Sequence, residues 1–592
     1  MLARLVALWL VTLWALPAAS REEFDSHLLT GIMVPMRDGV RLATDVYRPS
    51  RGGEPVEGKF PVVLYRTPYN KNGVSREAIY FARRGYVVVA QDCRGRFASE
   101  GEFYPFINEG TDGYDAIEWA AAQPWSNGKV ATMGASYLAW DQYHAAMYRP
   151  PHLVAMFALV GGANFIEEYG HPGGATNLGW PLWILNSAAS SPQAARNPST
   201  REPLIETMKN PAAWLALHPL KRGEIFQSFP AHRKIYEDLY AHSEFDDYWK
   251  QKGFYTAGYY KQMKDVPIFF LSGWYDYFAE GVLQNFAALE RMQRSPKKLL
   301  MGPWPHGTGR AECGEASFGP AAAVDTTALA LDWFDHWMKG HHFELVSPSA
   351  VRLFRMGGGD GTRTAEGKLK HEGEWRTASA WPPPAVRPSR YYIHTGGMLS
   401  ATQPVGGEPS TFVYDPDNPV PTIGGRYGAA GVPPCVQNQA PLSQRLDVLS
   451  YSSARLSASL EITGKIRARL WISSDAVDTD FTAKLIDVYP DGYALILADG
   501  QIRNRYRNGH EKAELMKPGT VYLVEIDLGS TSNLFVKGHR IRLDISSSNY
   551  PRVEPNPNSG EPAGRWTRRV KARNTVYHDA QRASYVEVPV IQ

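Results

Sequence analysis

The stretch that most constrains the fold is Lys129-Val130-Ala131-Thr132-Met133-Gly134-Ala135-Ser136-Tyr137-Leu138-Ala139-Trp140. A short apolar, partly β-branched run ends in Gly-Ala-Ser and passes at once into an amphipathic run over residues 137–148. A strand that turns sharply into a helix with Ser at the corner is the nucleophile-elbow pattern. Its chemistry dictates its residues. The serine must sit on a strained turn so that its hydroxyl leaves the sheet. Its neighbours must be small, because strand and helix nearly touch there. Gly134 and Ala135 meet that demand on one side and Ala139 on the other. The helix N-terminus then directs free N–H groups at any oxyanion that forms beside Ser136. The match to Gly-x-Ser-x-Gly is partial, since Leu138 stands at the second glycine. Alone, the motif leaves Ser136 equally open to being an ordinary turn residue.

The surrounding rhythm supplies a sheet for such an elbow. Residues 32–37 and 40–47 read as strands joined by Asp38-Gly39, a hairpin signal. Residues 61–65 and 86–91 are near-continuous apolar runs, as in strands buried on both faces of a parallel sheet. Residues 77–84 suit a crossover helix. Residues 109–123, with Tyr114, Ile117, Trp119 and Ala120, suit another. Residues 30–163 therefore read as a hairpin followed by β-α-β-α-β, an α/β pattern with a parallel core. From residue 163 to 264 strand-like runs disappear. Helical segments carry Trp180, Trp183, Trp214, Phe226, Tyr236 and Tyr240 between Gly/Pro/Ser loops. The parallel pattern resumes at residues 266–271, so the helical stretch reads as an insertion capping the sheet, not a separate domain.

Residues 266–272 form a strand followed by Gly273-Trp274-Tyr275-Asp276, and residues 298–301 form another followed by Gly302-Pro303-Trp304-Pro305-His306-Gly307. Asp276 and His306 thus fall just past strand ends, where the loops of a parallel sheet carry ligands and catalysis. A lone loop Asp or His is ordinarily polar surface. Here the chain order Ser136, Asp276, His306 is the Ser…Asp…His order of α/β-hydrolases, each residue after its own strand. Residues 331–339 are the last helical stretch, with Gly340 as its C-cap. Beyond it, residues 466–473, 481–488, 521–528, 540–546 and 584–590 alternate as strands, reading as an all-β sandwich or jelly-roll. Such a domain could also be a carbohydrate-binding module.

Arg66-Thr67-Pro68-Tyr69, the run from Gln91-Asp92-Cys93-Arg94-Gly95-Arg96 to Gly101, the Ser136 elbow, Gly273 to Asp276 and Gly302 to His306 together resemble the cocaine esterase/X-prolyl dipeptidyl-peptidase (CocE/NonD) family of serine hydrolases. The resemblance continues through Tyr414-Asp415-Pro416, Asp478-Thr479-Asp480-Phe481 and residues 546–550. It implies an α/β-hydrolase core over residues 21–163 and 265–344, a helical cap over 164–264 and a C-terminal jelly-roll over 345–592. It further implies hydrolysis of esters or amides through a serine acyl-enzyme. By resemblance the Tyr69 hydroxyl is the second oxyanion donor beside the Tyr137 backbone N–H. From residues alone Tyr69 is only a Tyr after a Pro at a strand end. Relatives often carry Gly where this chain has Ala139, which predicts a slightly tighter helix–strand contact. Trp140, Trp180, Tyr277 and Phe278 are candidates to line the acyl pocket, or equally core.

A net charge of +3 over 592 residues gives no electrostatic footprint for nucleic acid. Residues 1–20 read as a secretory signal: Arg4, an apolar run over 5–16, and Ala18-Ala19-Ser20 for cleavage. The apolar run falls short of the ~20 residues of a membrane anchor. The expectation is an exported chain, secreted or periplasmic, with no membrane association after processing. Cys93, Cys313 and Cys435 allow at most one internal disulfide, of unassigned pairing. No metal-ligand spacing occurs, His341-His342 reading as a solvated turn, and no cofactor is called for. The expected substrate is a small ester or short peptide, with a homodimer left open. Three functions compete: a carboxylic-ester hydrolase, an X-Pro dipeptidyl-peptidase and a non-catalytic binding protein. The peptidase needs a carboxylate for the substrate ammonium. Glu167-Glu168 could supply it, or be a solvated pair at a helix start. Related amino-acid ester hydrolases place a carboxylate three residues after the nucleophile, where this chain has Ala139.

Overall fold

The computed structural model describes residues 23–343, 350–426, 428 and 430–591; the expected signal segment, residues 1–20, lies outside them. The N-terminal hairpin pairs β1 (Asp25–Pro35) antiparallel with β2 (Arg41–Arg51). Its loop is longer than a two-residue turn. The Met36 N–H donates to Val40 O and the Gly39 N–H to Met36 O, with Gly39 at φ 87°. That is a three-residue loop whose left-handed position only glycine fills without strain.

The parallel core follows: β3 (Phe60–Thr67), β4 (Val87–Asp92), β5 (Ser126–Ala135), β6 (Leu153–Leu159), β7 (Ile268–Gly273) and β8 (Lys297–Gly302). Pairing runs β1-β2-β4-β3-β5-β6-β7-β8, antiparallel in the first two steps and parallel thereafter. The fully buried strands β4, β7 and β8 are the apolar runs of the sequence, covered on both faces by helices. Those helices include α1 (Ser75–Ala82), α2 (Glu109–Ala121) and α3 (Tyr137–Met147). Beyond the expected domain boundary at residue 345, β9 (Val351–Met356) pairs in parallel with β8 before turning back antiparallel with Gly373–Ala378. The hydrolase sheet is thus continuous into the next domain.

Between β6 and β7 the cap inserts, its first long helix being α4 (Gly179–Ala189). In the core, α5 (Ala279–Met292) connects β7 to β8. The C-terminal domain is all β. Leu460–Ser474 pairs along its length with Tyr522–Phe535, while Asp480–Val488 lies between Ala494–Arg503 and Arg540–Ser546. Cys313 and Cys435 form a disulfide, Cα atoms 5.5 Å apart, tying the segment after β8 to this domain. Cys93 is buried and free. Among the described residues no helix is long and apolar enough to cross a membrane.

Candidate active site

Ser136 sits at the end of β5 with φ 62° and ψ −121°, a conformation that costs an ordinary residue of order 1–3 kcal/mol. The neighbours explain how it is held. A Cβ on Gly134 would stand 2.3 Å from the Leu138 Cβ, so the bulky Leu138 is accommodated by glycine on the strand side. Ala139 meets Gly161, where a Cβ would lie 2.6 Å from the Ala139 methyl. The extra methyl on the helix is therefore matched by a missing one beyond β6. Among the described residues no acceptor engages the Tyr137 N–H, which lies in the unsatisfied first turn of α3.

Asp276 and His306 reach Ser136 from the ends of β7 and β8. The two loops are laced together: the Trp274 N–H donates to Gly302 O and the Tyr275 N–H to Trp304 O. Gly273 permits this, since a Cβ there would fall 2.2 Å from the Trp304 carbonyl oxygen. The indole of fully buried Trp304 donates to Arg310 O and Ala322 O, anchoring the His306 loop from below. The C-terminal domain grips the other loop, with Tyr275 donating to Ile496 O and Arg426 to Trp274 O. In this frame His306 Nε2 lies 2.8 Å from Ser136 Oγ, and Nδ1 lies 2.8 Å from Asp276 Oδ1. Asp276 is fully buried and also accepts from the Ser272 hydroxyl (2.7 Å) and the Phe278 N–H (3.2 Å). A carboxylate only accepts, so Nδ1 carries the imidazole hydrogen and Nε2 is left to accept from Ser136.

Tyr69 ends the Arg66–Tyr69 motif just past β3. The residue is 44% exposed, and its hydroxyl accepts from the Trp183 indole N–H at 3.0 Å. Desolvation pushes the phenol up to about 12, against the hydrogen bond from Trp183, which favours its ionised form. The motif arginines are structural. Arg66 pairs with Glu109 inside the protein (2.6 Å), and Glu109 in turn receives the Tyr137 hydroxyl (3.0 Å). Arg94 pairs with Asp112 and Asp38. Buried Arg96 donates to Pro68 O, Ser187 O and Ser190 Oγ, joining the Tyr69 loop to α4.

Of the pocket candidates, Tyr277 stacks on His306 with ring centroids 4.1 Å apart, and Phe278 meets the same imidazole edge-on at 5.6 Å. Trp180 stacks on Trp183 at 4.5 Å. Trp140 is fully buried, supporting Phe278 and Phe165 from behind. Trp183 and Ser272 were not singled out from the sequence as site residues. Trp183 had a signal there, standing three residues after Trp180 on one helix face. Glu168 turns inward, accepting from the Ala163 and Asn164 N–H groups (both 2.9 Å), and burial pushes its carboxyl up to about 8. Glu167 bonds His510 at 2.8 Å.

The chain matches the family model of the X-Pro dipeptidyl-peptidase (S15 family) over residues 38–308. It matches that of the X-Pro dipeptidyl-peptidase C-terminal non-catalytic domain over residues 345–587. It is 34% identical to a cocaine esterase of Rhodococcus sp. (strain MB1 Bresler), covering 95% of this chain and 98% of that one. The chain belongs to the CocE/NonD family of serine hydrolases. Fold comparison agrees. An α-amino acid ester hydrolase superposes with a TM-score of 0.79 at 23% identity, covering 97% of this chain and 98% of that one. An aminopeptidase from a marine sediment Thaumarchaeota archaeon superposes with a TM-score of 0.78 at 24% identity, covering 96% and 97%. As a CocE/NonD member the protein is a serine hydrolase acting on esters or peptides.

Proposed function

We propose that the protein is an exported carboxylic-ester hydrolase working through a Ser136-His306-Asp276 acyl-enzyme. The observation that carries this is the unbroken relay from Ser136 Oγ to His306 Nε2 and from Nδ1 to Asp276, 2.8 Å at each step. His306 takes the Ser136 proton as the hydroxyl attacks the ester carbonyl, then gives it to the departing alcohol. It repeats the exchange with water to release the acid. Asp276 holds the tautomer and stabilises the imidazolium. The Tyr137 N–H and the Tyr69 hydroxyl receive the oxyanion. The aromatic wall of Tyr277, Phe278, Trp180 and Trp183 suits an uncharged acyl or alcohol group.

The competing reading, removal of X-Pro dipeptides, rests on the S15 family model. It needs a free carboxylate for the substrate ammonium. Glu167 is engaged by His510 and Glu168 by two backbone N–H groups, which favours the ester. Parallel assays of the purified protein on p-nitrophenyl esters and X-Pro-anilides test the choice. Ester turnover exceeding anilide turnover at least a hundredfold in kcat/KM is expected; the reverse ranking makes the protein a peptidase.

A further inference from the structure

Trp183 belongs to the cap, yet its indole N–H leaves the cap. Nε1 donates at 3.0 Å to the hydroxyl of Tyr69, 114 positions earlier in the chain. The indole cannot swing aside. Trp180 stacks on it at 4.5 Å and 15°, and the Tyr137 ring lies parallel to it at 6.2 Å and 4°. The spacing of its two ends is fixed by one buried guanidinium. Arg96 Nε donates to Pro68 O beside Tyr69 (2.9 Å), and its Nη1 to Ser187 O on α4 (2.9 Å).

The chemistry of the contact is one-directional. An indole nitrogen is a donor only, whereas a phenol oxygen has one hydrogen to give and lone pairs to receive. Trp183 therefore occupies a lone pair of Tyr69, and the Tyr69 hydrogen is turned away from the cap. The Tyr69 ring packs edge-on against that of Tyr137, the residue after Ser136, with centroids 6.2 Å apart, which sets it beside the nucleophile elbow. Resting on the assignment of Tyr69 as an oxyanion donor, we infer that Trp183 is a positioning residue of the oxyanion hole. Its N–H fixes the rotation of the Tyr69 hydroxyl so that the hydrogen meets the developing oxyanion. A donor held on the phenol oxygen also makes the phenol the stronger acid and so the stronger donor. The cap helix thereby completes a site otherwise built by the hydrolase core, and displacing α4 weakens one of the two oxyanion donors.

The test is a double-mutant cycle on one activated ester, with thermal melts alongside. Trp183→β-(3-benzothienyl)alanine replaces only the N–H by sulfur and keeps the stacked ring; Trp183→Phe removes the donor and half the ring. Tyr69→Phe is the second arm. Tyr69→Phe is expected to lower kcat by about 10²–10³. The benzothienyl variant is expected to lower kcat roughly 3- to 10-fold, the worth of one neutral hydrogen bond, with KM within twofold. In the Tyr69→Phe background the same change is expected to have no further effect on kcat, and Trp183→Phe to lose its kcat effect while keeping any effect on KM. Full activity of the benzothienyl variant overturns the inference while leaving Tyr69 as a donor. So does an equal loss in both backgrounds, which makes Trp183 a packing residue only. A Tyr69→Phe kcat within threefold of wild type removes the donor assignment itself, and the inference with it.

Discussion

Asp276 is the clearest test of the site at the scale of single residues, because its work is done through hydrogen positions and not through shape. Asp276→Asn keeps volume and the Ser272 contact but presents an amide N–H to Nδ1. The imidazole then carries its hydrogen on Nε2, which can no longer accept the Ser136 proton. Steady-state kinetics at neutral pH should show a kcat loss on the order of 10⁴ with an unchanged melting temperature. Ser136, Asp276 and His306 were legible in the sequence because each follows its own buried strand, and the strand order sets the chain order. The bond of Trp183 to Tyr69 was not, since it joins a loop of the core to a helix of the insertion. No local pattern encodes such a contact. Gly161, which makes room for Ala139, was hidden for the same reason.

At the scale of elements, the strands that read clearly were those buried on both faces or strictly alternating. Ala494–Arg503 escaped because Asp499 and Gly500 interrupt it like a turn. In the fold Gly500 lets a neighbouring strand approach: a Cβ there would lie 1.9 Å from the Asp527 carbonyl oxygen. Val386–His394 escaped because Pro388 and its charged neighbours break the alternation. The continuation of the hydrolase sheet into Val351–Met356 depends on pairing with Lys297–Gly302, which sequence alone does not announce. The lacing of the loops after β7 and β8 makes its own prediction. Gly273→Ala must push the Trp304 peptide away, and His306 two residues on moves with it. Overpacking of this kind costs about 1–3 kcal/mol. Melting and kinetics together should show a Tm lower by a few degrees and a kcat lower by at least tenfold. A Tm loss with full kcat would mean that the contact does not position His306.

At the scale of the whole molecule, His144 on α3 and His171 and His232 in the cap are buried histidines held far below their ordinary range. Burial holds each down to about 3, helped by the charge of Arg66 at His144, of His510 at His171 and of Arg96 at His232. Each is depressed below the ordinary value of 6.5, so the unfolded chain takes up protons that the native fold refuses. Their contribution to stability is complete above pH 6.5 and is lost as pH falls from there towards 3. Each contributes a slope of about 1.4 kcal/mol per pH unit over that window. Denaturation measured at pH 7, 6 and 5 reads their share as a difference from a variant that lacks one of them. His144→Phe, which replaces a ring with two unpartnered buried nitrogens, should lose about 1.4 kcal/mol less per pH unit of acidification than the wild type. An unchanged slope would mean that His144 is protonated in the native fold. The two chemical halves of the fold, hydrolase core and β domain, were legible at this scale. The Cys313–Cys435 bond that joins them across 122 residues was not, because three cysteines allow three pairings.

The central claim is that Ser136 is the nucleophile, and active-site labelling tests it most directly. The intact protein is treated with a fluorophosphonate, digested and mapped by mass spectrometry, beside Ser136→Ala. One adduct per chain on the Ser136 peptide is expected. In Ser136→Ala no adduct should form, and kcat should fall by roughly 10⁴–10⁶. Labelling of another residue, or labelling and turnover that survive Ser136→Ala, would contradict the account.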